Sequence, residues 1–173
     1  MVSYKPPLNG AGNNAISSMK ITEVLSDDSK SGANLQRPAP GVDVAVLALR
    51  FASGLAFLYH GAAILFGAFG GPGPERFAVD HRFPVVVGYL VGLAQVVSAM
   101  AVLVGVFIRL ATVALIVVML GAIFLVHLPH GFDVSNGGME YALTQLLIAF
   151  ALLLMGAGAY SLSSRLPARL QRL

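Results

Sequence analysis

The 173-residue chain contains no cysteine, and its charged residues are scarce. Without cysteine the protein has no disulfide, no catalytic thiol, no cysteine-held iron–sulfur cluster and no haem attached through a C-x-x-C-H motif. Lys, Arg, Asp and Glu make up 11% of the residues, whereas a soluble domain carries about 25%. The composition therefore excludes several redox classes and indicates that most of the chain does not face water.

Long apolar segments make up most of the rest. Hydrophobic residues account for 57% of the chain, and the mean hydropathy is +0.79. A transmembrane helix needs roughly 20 mostly apolar residues to cross a hydrocarbon core of about 30 Å. Four segments reach that length within a residue or two: 44–69, 84–107, 110–128 and 139–162. Because short links join them, we predict an all-α integral membrane protein, a four-transmembrane-helix up-down bundle.

The two ends of the chain differ from this predicted membrane domain, which covers residues 44–164. Residues 1–43 are rich in Gly, Pro, Ser and Asn and contain no apolar run of signal-peptide length. This composition predicts a polar, mostly irregular N-terminal tail rather than a cleaved signal. Residues 165–173 form a short basic C-terminus.

The distribution of Lys and Arg predicts the orientation in the membrane. Eight of these residues lie in the tail, at Arg109 between the second and third segments, and at the C-terminus, whereas only Arg76 and Arg82 lie on the other side. Cytoplasmic loops carry the excess of positive charge, so we expect both termini in the cytoplasm. The basic residues flank apolar segments instead of forming a patch, so no nucleic acid is expected as a partner.

Polar side chains inside a membrane are costly and therefore mark candidate sites. Arg50 lies near the cytoplasmic end of the first segment. Either it extends toward the lipid head groups, or it faces the bundle and holds an anion or a polar ligand head group. Gln95 and Ser98 of the second segment are neutral hydrogen-bond partners for it if they face it.

A second polar group lies toward the external end. His60, His127 and Glu140 supply two imidazoles and a carboxylate there. These groups suit a metal or haem site, a contact with a quinone oxygen, or a proton relay. They also suit a structural hydrogen bond between His60 and Glu140. We expect no metal site, because Pro129 interrupts the helical spacing of His127 and His130. The candidates for binding a ligand or quinone are Arg50, His60, Gln95, His127, Glu140 and Gln145.

Four small residues are candidates for close helix packing. Gly88 and Gly92 form a G-x-x-x-G motif in the second segment, and Gly54 and Gly61 lie two turns apart in the first. Their contacts lie either within the bundle or with a partner helix. No catalytic residue is assigned, because the chain has no phosphate-binding glycine loop, dinucleotide fingerprint, nucleophile elbow or catalytic carboxylate pair.

Several sequence elements occur in a characteristic order. Residues 49–61 read LRFASGLAFLYHG, residues 138–143 read GMEYAL, and residues 156–162 read GAGAYSL. In this order, and with the spacing of Gly105, Arg109 and the pair Gly131-Phe132, they resemble the DoxX family of small four-helix membrane proteins. The resemblance covers about residues 44–164 and leaves the tail outside.

The resemblance implies a bacterial cytoplasmic (inner) membrane protein associated with redox systems. Family members include a thiosulfate:quinone oxidoreductase subunit, a terminal quinol oxidase locus and partners of oxidative-stress proteins. This chain has Ile64 where members commonly have lysine, and Gln95 where they commonly have glutamate. Losing one charge of a buried pair is costly, whereas losing both is nearly neutral. The two departures therefore look like one coupled loss, which argues against a proton-coupled redox role.

We therefore predict an accessory or structural subunit, rather than the catalyst, of a quinone-linked respiratory or photosynthetic electron-transfer complex. It would dock through its helices and its N-terminal tail. The expected partners are the lipid bilayer and larger redox subunits, and the expected ligand is a quinone or a lipid, with no cofactor assigned. Two alternatives stay open: a catalytic membrane subunit of a quinone oxidoreductase, of the thiosulfate:quinone or quinol-oxidase type, and a small-solute transporter.

Overall fold

The computed structural model describes residues 40–165. The predicted N-terminal tail and basic C-terminus lie almost entirely outside the described residues. Within residues 40–165 every regular element is helical. The all-helical class that the long apolar segments predict is therefore confirmed for this part of the chain.

Five α-helices account for most of the fold. They are α1 (Pro40–Phe66), the short α2 (Gly73–Asp80), α3 (Val85–Val104), α4 (Ile108–Gly121) and α5 (Glu140–Met155). A π-helical segment (Ala122–His127) and a 3₁₀ turn (Leu128–His130) continue α4. Further 3₁₀ turns lie at Ala68–Gly70, Val134–Asn136 and Leu162–Arg165.

Three of these helices are long and apolar enough to cross a membrane: Gly41–Phe66, Val85–Val104 and Ile108–His130. The remaining apolar helix, α5, has 16 residues, which is about 24 Å of helix at 1.5 Å per residue. A multi-pass membrane protein is thus supported, but the prediction of four full spans is not confirmed. The predicted fourth span runs to residue 162, whereas α5 ends at Met155, where Gly156 adopts φ +75° and leaves the helix.

The long helices pack in a ring in chain order. α1 makes its most extensive contact with α3, α3 packs on α4, α4 on α5, and α5 closes the ring against α1. α2 lies against α3 and α1. Gly54 meets Leu103 and Gly61 meets Gln95, so α1 and α3 run antiparallel. The core between the helices consists mainly of Ala, Val, Leu and Ile side chains.

The two glycines of α1 lie where α3 crosses it most closely. A Cβ atom on Gly54 would come within 2.6 Å of Leu103 Cγ, and one on Gly61 within 2.8 Å of Gln95 Cβ. Such distances are shorter than van der Waals contact. A larger residue at Gly54 requires the Leu103 side chain to move, whereas one at Gly61 also meets the backbone nitrogen of Val96 at 2.9 Å and pushes against α3 itself. These glycines therefore pack within the bundle.

The two glycines of α3 contact two different elements. A Cβ on Gly92 would lie 2.9 Å from Leu65 Cβ of α1. A Cβ on Gly88 would overlap the backbone carbonyl of Pro74 in α2. Through the G-x-x-x-G motif, α3 therefore packs closely against α1 at one turn and against α2 at the adjoining turn.

Candidate functional site

Arg50 forms the centre of a polar cluster at one end of the bundle, where α1 begins and α3 ends. Its side chain is 1% exposed. Nε donates to the carbonyl of Val102 (2.8 Å) and Nη2 to that of Leu103 (2.8 Å). Nη1 donates to the carbonyls of Ala157 (2.9 Å) and Tyr160 (2.7 Å). All four acceptors are backbone oxygens.

The acceptors on α3 belong to its last turn. Gly105 ends the helix with φ +76°, and the N–H groups of Gly105 and Val106 both donate to Ala101. The carbonyls of Val102 and Leu103 are therefore among those that a helix C-terminus leaves without an intrahelical donor. They also carry the negative end of the helix dipole, which favours a cation there. Arg50 thus caps α3.

The segment after α5 is held by the same face of α1. Asp43 lies two helical turns before Arg50 on α1, and its Oδ1 accepts a hydrogen bond from the backbone N–H of Ala159 (3.0 Å). The N–H of Ser163 donates to the carbonyl of Gly105 (3.2 Å). The Asp43 carboxylate and the Arg50 guanidinium therefore hold the backbone after α5 in a non-helical conformation. This explains why α5 does not continue to the predicted length.

Arg50 consequently faces the bundle and does not reach the head groups. Gln95 and Ser98, its expected partners, are buried but do not bond to it. Its ligand-binding role stays a prediction, although the observed bonds are to the protein itself.

A cavity of about 950 Å³ lies at the opposite end of the bundle. Its walls come from α1, α3, α4, α5 and the segment around α2, and most of the lining side chains are apolar. The polar side chains in the wall are those of His60, His81, Gln95, His127, Tyr141 and Gln145. Its volume is that of a site for a drug-sized organic molecule.

Four of the six predicted ligand-binding residues meet in this cavity: His60, Gln95, His127 and Gln145. Arg50 and Glu140 do not line it. These four residues come from α1, α3, the end of α4 and α5, so they are distant in sequence and only the packing of the bundle brings them together.

The expected hydrogen bond between His60 and Glu140 is not present. Glu140 Oε2 instead accepts from the backbone N–H of Val134 (3.3 Å), within its own loop. The His60 ring packs near the rings of Tyr59 (5.4 Å between centroids) and Tyr141 (5.6 Å). The interpretation of a His60–Glu140 tie between the first and last helices was therefore wrong, because Glu140 turns back to the loop that precedes α5.

The π-helical segment Ala122–His127 brings His127 to the cavity wall. Its wider turns shift the register of the side chains, and such segments often occur at functional sites. His127 Nδ1 lies 2.7 Å from the carbonyl of Gly137. A carbonyl only accepts, so Nδ1 donates and the neutral ring presents Nε2 as an acceptor.

His81 is a cavity residue that the sequence reasoning missed. It follows α2, and its Nδ1 donates to the carbonyl of Phe77 (2.8 Å). The two rings also pack with their centroids 4.5 Å apart. The signal was the i, i+4 spacing of an aromatic residue and a histidine in the first break.

Gln95 has an unusual environment for a buried amide. It is 4% exposed, lines the cavity, and makes no hydrogen bond to any described residue. Gln145 differs, because its Oε1 accepts from Ser53 Oγ at 3.1 Å and joins α5 to α1. Among the described residues no fully buried side-chain N or O atom lacks a hydrogen-bond partner, so the Gln95 amide is accessible from the cavity and available to a ligand there.

Residues 40–165 contain no group of three or more His, Cys, Asp or Glu side chains that could hold a metal ion. The cavity polar groups are instead two amides, three imidazoles and a phenol. In their neutral forms these groups bind by hydrogen bonding.

The helical architecture, with three apolar helices of membrane-spanning length, defines a multi-pass membrane protein. The DoxX family model matches residues 45–128, from the first turns of α1 to the end of the π-helical segment, and confirms the resemblance to that family. Residues 45–128 therefore match a DoxX domain. No match was found among curated proteins or among solved structures.

Proposed function

We propose that this protein is an accessory membrane subunit of a quinone-linked respiratory or photosynthetic electron-transfer complex, and that it holds a quinone or a lipid in its cavity. The observation that carries this proposal is the apolar cavity of about 950 Å³ with a few neutral polar groups in its wall. Lipophilic molecules with a polar head suit such a lining.

Access from the bilayer supports the same proposal. Leu90 of α3, Val117 of α4 and Leu125 of the π-helical segment line the cavity, yet they are 59%, 64% and 66% exposed. These residues sit on neighbouring helices, so the cavity opens between α3 and α4 onto an apolar outer surface. A lipophile reaches the cavity sideways without passing through water.

The proposed setting is the bacterial cytoplasmic membrane with both termini in the cytoplasm. The Arg50 cluster would then lie at the cytoplasmic end and the cavity in the external half. The helices and the N-terminal tail would dock on larger redox subunits, as the family resemblance implies.

The test is purification in mild detergent at native expression, followed by mass spectrometry of co-purifying subunits, quinones and lipids. We expect redox subunits and a bound lipophile. A cavity-filling variant, Gly121→Leu, should lose the lipophile and keep the subunits, because Gly121 lines the cavity and a Cβ there meets no atom within 4 Å. Gly41→Leu is the control, since Gly41 has equally open space but lies outside the cavity. A protein that purifies without partners would overturn the subunit role.

The second candidate is a catalytic membrane subunit of a quinone oxidoreductase. The convergence of His60 and His127 in one cavity favours it, because imidazoles move protons near neutral pH. Incubating the purified protein with a quinol and an electron acceptor separates the two candidates. Quinol turnover would support the catalytic role, and its absence in a complex-free preparation would support the accessory one.

A further inference from the structure

The hydrogen-bonding groups of the cavity differ in what they offer a ligand. The lining includes no Lys, Arg, Asp or Glu side chain among the described residues. An ionised head group would thus lose its hydration without meeting an opposite charge, which is costly in an apolar setting. An uncharged occupant therefore suits this lining.

His81 and His127 both present acceptors. In each ring Nδ1 is committed to a backbone carbonyl, at 2.8 Å from Phe77 and 2.7 Å from Gly137. The neutral ring then has its lone pair on Nε2, the nitrogen left to meet a ligand. A carbonyl or ether oxygen there would face a second lone pair, whereas a hydroxyl group donates to it.

The amides complete the pattern. Gln145 is engaged by the protein itself, because its oxygen accepts from Ser53 Oγ and its side chain also hydrogen-bonds that of Tyr141. Gln95 makes no bond to a described residue and offers both a donor and an acceptor. A hydroxyl oxygen accepts from an amide while its hydrogen goes to an imidazole.

From these contacts we propose that the cavity selects uncharged lipophiles with a hydroxyl head group over molecules of the same shape with a carbonyl or an ether. This inference rests on the lipophile occupancy of the proposed function and adds the chemistry of the head group. Two sources share that chemistry: a redox-active hydroquinone and a redox-inert long-chain alcohol.

The test measures binding to the full-length protein in lipid nanodiscs. The probes are a short-chain hydroquinone, its oxidised quinone and its dimethyl ether, together with a long-chain alcohol and its methyl ether. We expect each hydroxyl compound to bind about three- to tenfold more tightly than its ether, the usual effect of one net hydrogen bond. The hydroquinone should also exceed the quinone.

Asparagine variants identify the acceptors responsible. The amide nitrogen of asparagine takes the place of histidine Nδ1, so His127→Asn and His81→Asn keep the bond to the backbone carbonyl and remove Nε2. Each should lower the preference of hydroquinone over its ether by about threefold. His130→Asn is the control, because His130 Nδ1 makes the same kind of bond to Val126 (3.0 Å) but the residue does not line the cavity.

The outcomes separate the proposals. Preference for the hydroquinone but not for the alcohol assigns the site to a redox-active ligand, and preference for both assigns it to hydroxyl lipophiles in general. Equal binding of hydroxyl compounds and ethers overturns the selectivity and leaves lipophile occupancy standing. Binding of none of the five overturns both, and a preference that survives in both asparagine variants overturns the assigned acceptors. If one variant does not fold, the other makes the same comparison.

Discussion

The two ends of the bundle treat buried polar groups in opposite ways. At the Arg50 end a fully buried guanidinium makes four hydrogen bonds to backbone carbonyls. At the cavity end Gln95 is almost as deeply buried and makes none to the described residues. A polar group that the protein itself satisfies contributes to stability, whereas one that is left open to the cavity contributes little and is available to a ligand. Burial alone therefore does not identify a site.

The largest expected effect comes from removing the charge at the satisfied end. Arg50→Leu leaves four backbone carbonyls without their donor, and each unsatisfied buried group costs about 1–3 kcal/mol. Because neighbouring losses are not additive, we expect a decrease of at least about 3 kcal/mol in the free energy of unfolding. Denaturation with an ionic detergent measures it.

His60→Leu is the matched control at the other end, since His60 makes no hydrogen bond to a described residue. Its effect should stay within about 1 kcal/mol. Equal losses for Arg50→Leu and His60→Leu would contradict the contrast between the two ends.

The second prediction concerns the close contact of α1 and α3 that supports both ends. Gly61→Ala places a Cβ 2.8 Å from Gln95 Cβ, and overpacking of this kind costs about 1–3 kcal/mol. Gly121→Ala is the control, because no atom lies within 4 Å of a Cβ there. That change should be neutral or stabilise the helix by up to about 1 kcal/mol. Thermal unfolding of both variants, side by side, is the measurement.

The third prediction compares two buried glutamines. Gln95→Leu removes an amide without a partner, so we expect the empty protein to gain up to about 1 kcal/mol while ligand affinity falls. Gln145→Leu removes the acceptor of Ser53 and should destabilise by about 1 kcal/mol or more. Unfolding of the ligand-free variants tests the opposite signs. Loss of stability in both would mean that the Gln95 amide has a partner.

The smallest effect lies in the loop between α4 and α5. Hydrogen bonds from the backbone N–H and the hydroxyl of Ser135 lower the pKa of Asp133 below its usual value. A carboxylate with a lowered folded-state pKa contributes stability above its unfolded pKa, near 3.8, and loses it as pH falls through the folded value. Titration by carbon-detected NMR should find the lowered pKa, and Ser135→Ala should return it part of the way. An unchanged pKa in that variant would assign the shift to the backbone bond alone.

Several properties of this protein follow from the sequence by itself. Hydropathy and segment length are local, and they determine that the chain is helical and enters a membrane. The residue order around Arg50 and His60 identifies the DoxX domain, which the family match confirms. Selecting polar residues within apolar segments also named four of the six polar side chains in the cavity wall: His60, Gln95, His127 and Gln145.

Tertiary structure decided the partners of those residues. The carbonyls that receive Arg50 are free because α3 ends at Gly105, and they are in reach because α1 begins beside that end. Arg50 also donates to the carbonyl of Ala157, in the non-helical backbone that follows the end of α5 at Met155. Hydropathy alone does not reveal this helix end. Glu140 accepts a hydrogen bond from the backbone N–H of Val134 in the loop before α5. The π-helical segment that ends at His127 places this residue in the cavity wall. Hydrophobic pattern specifies which surfaces are buried, but the donors and acceptors that remain unpaired depend on where helix ends meet in three dimensions.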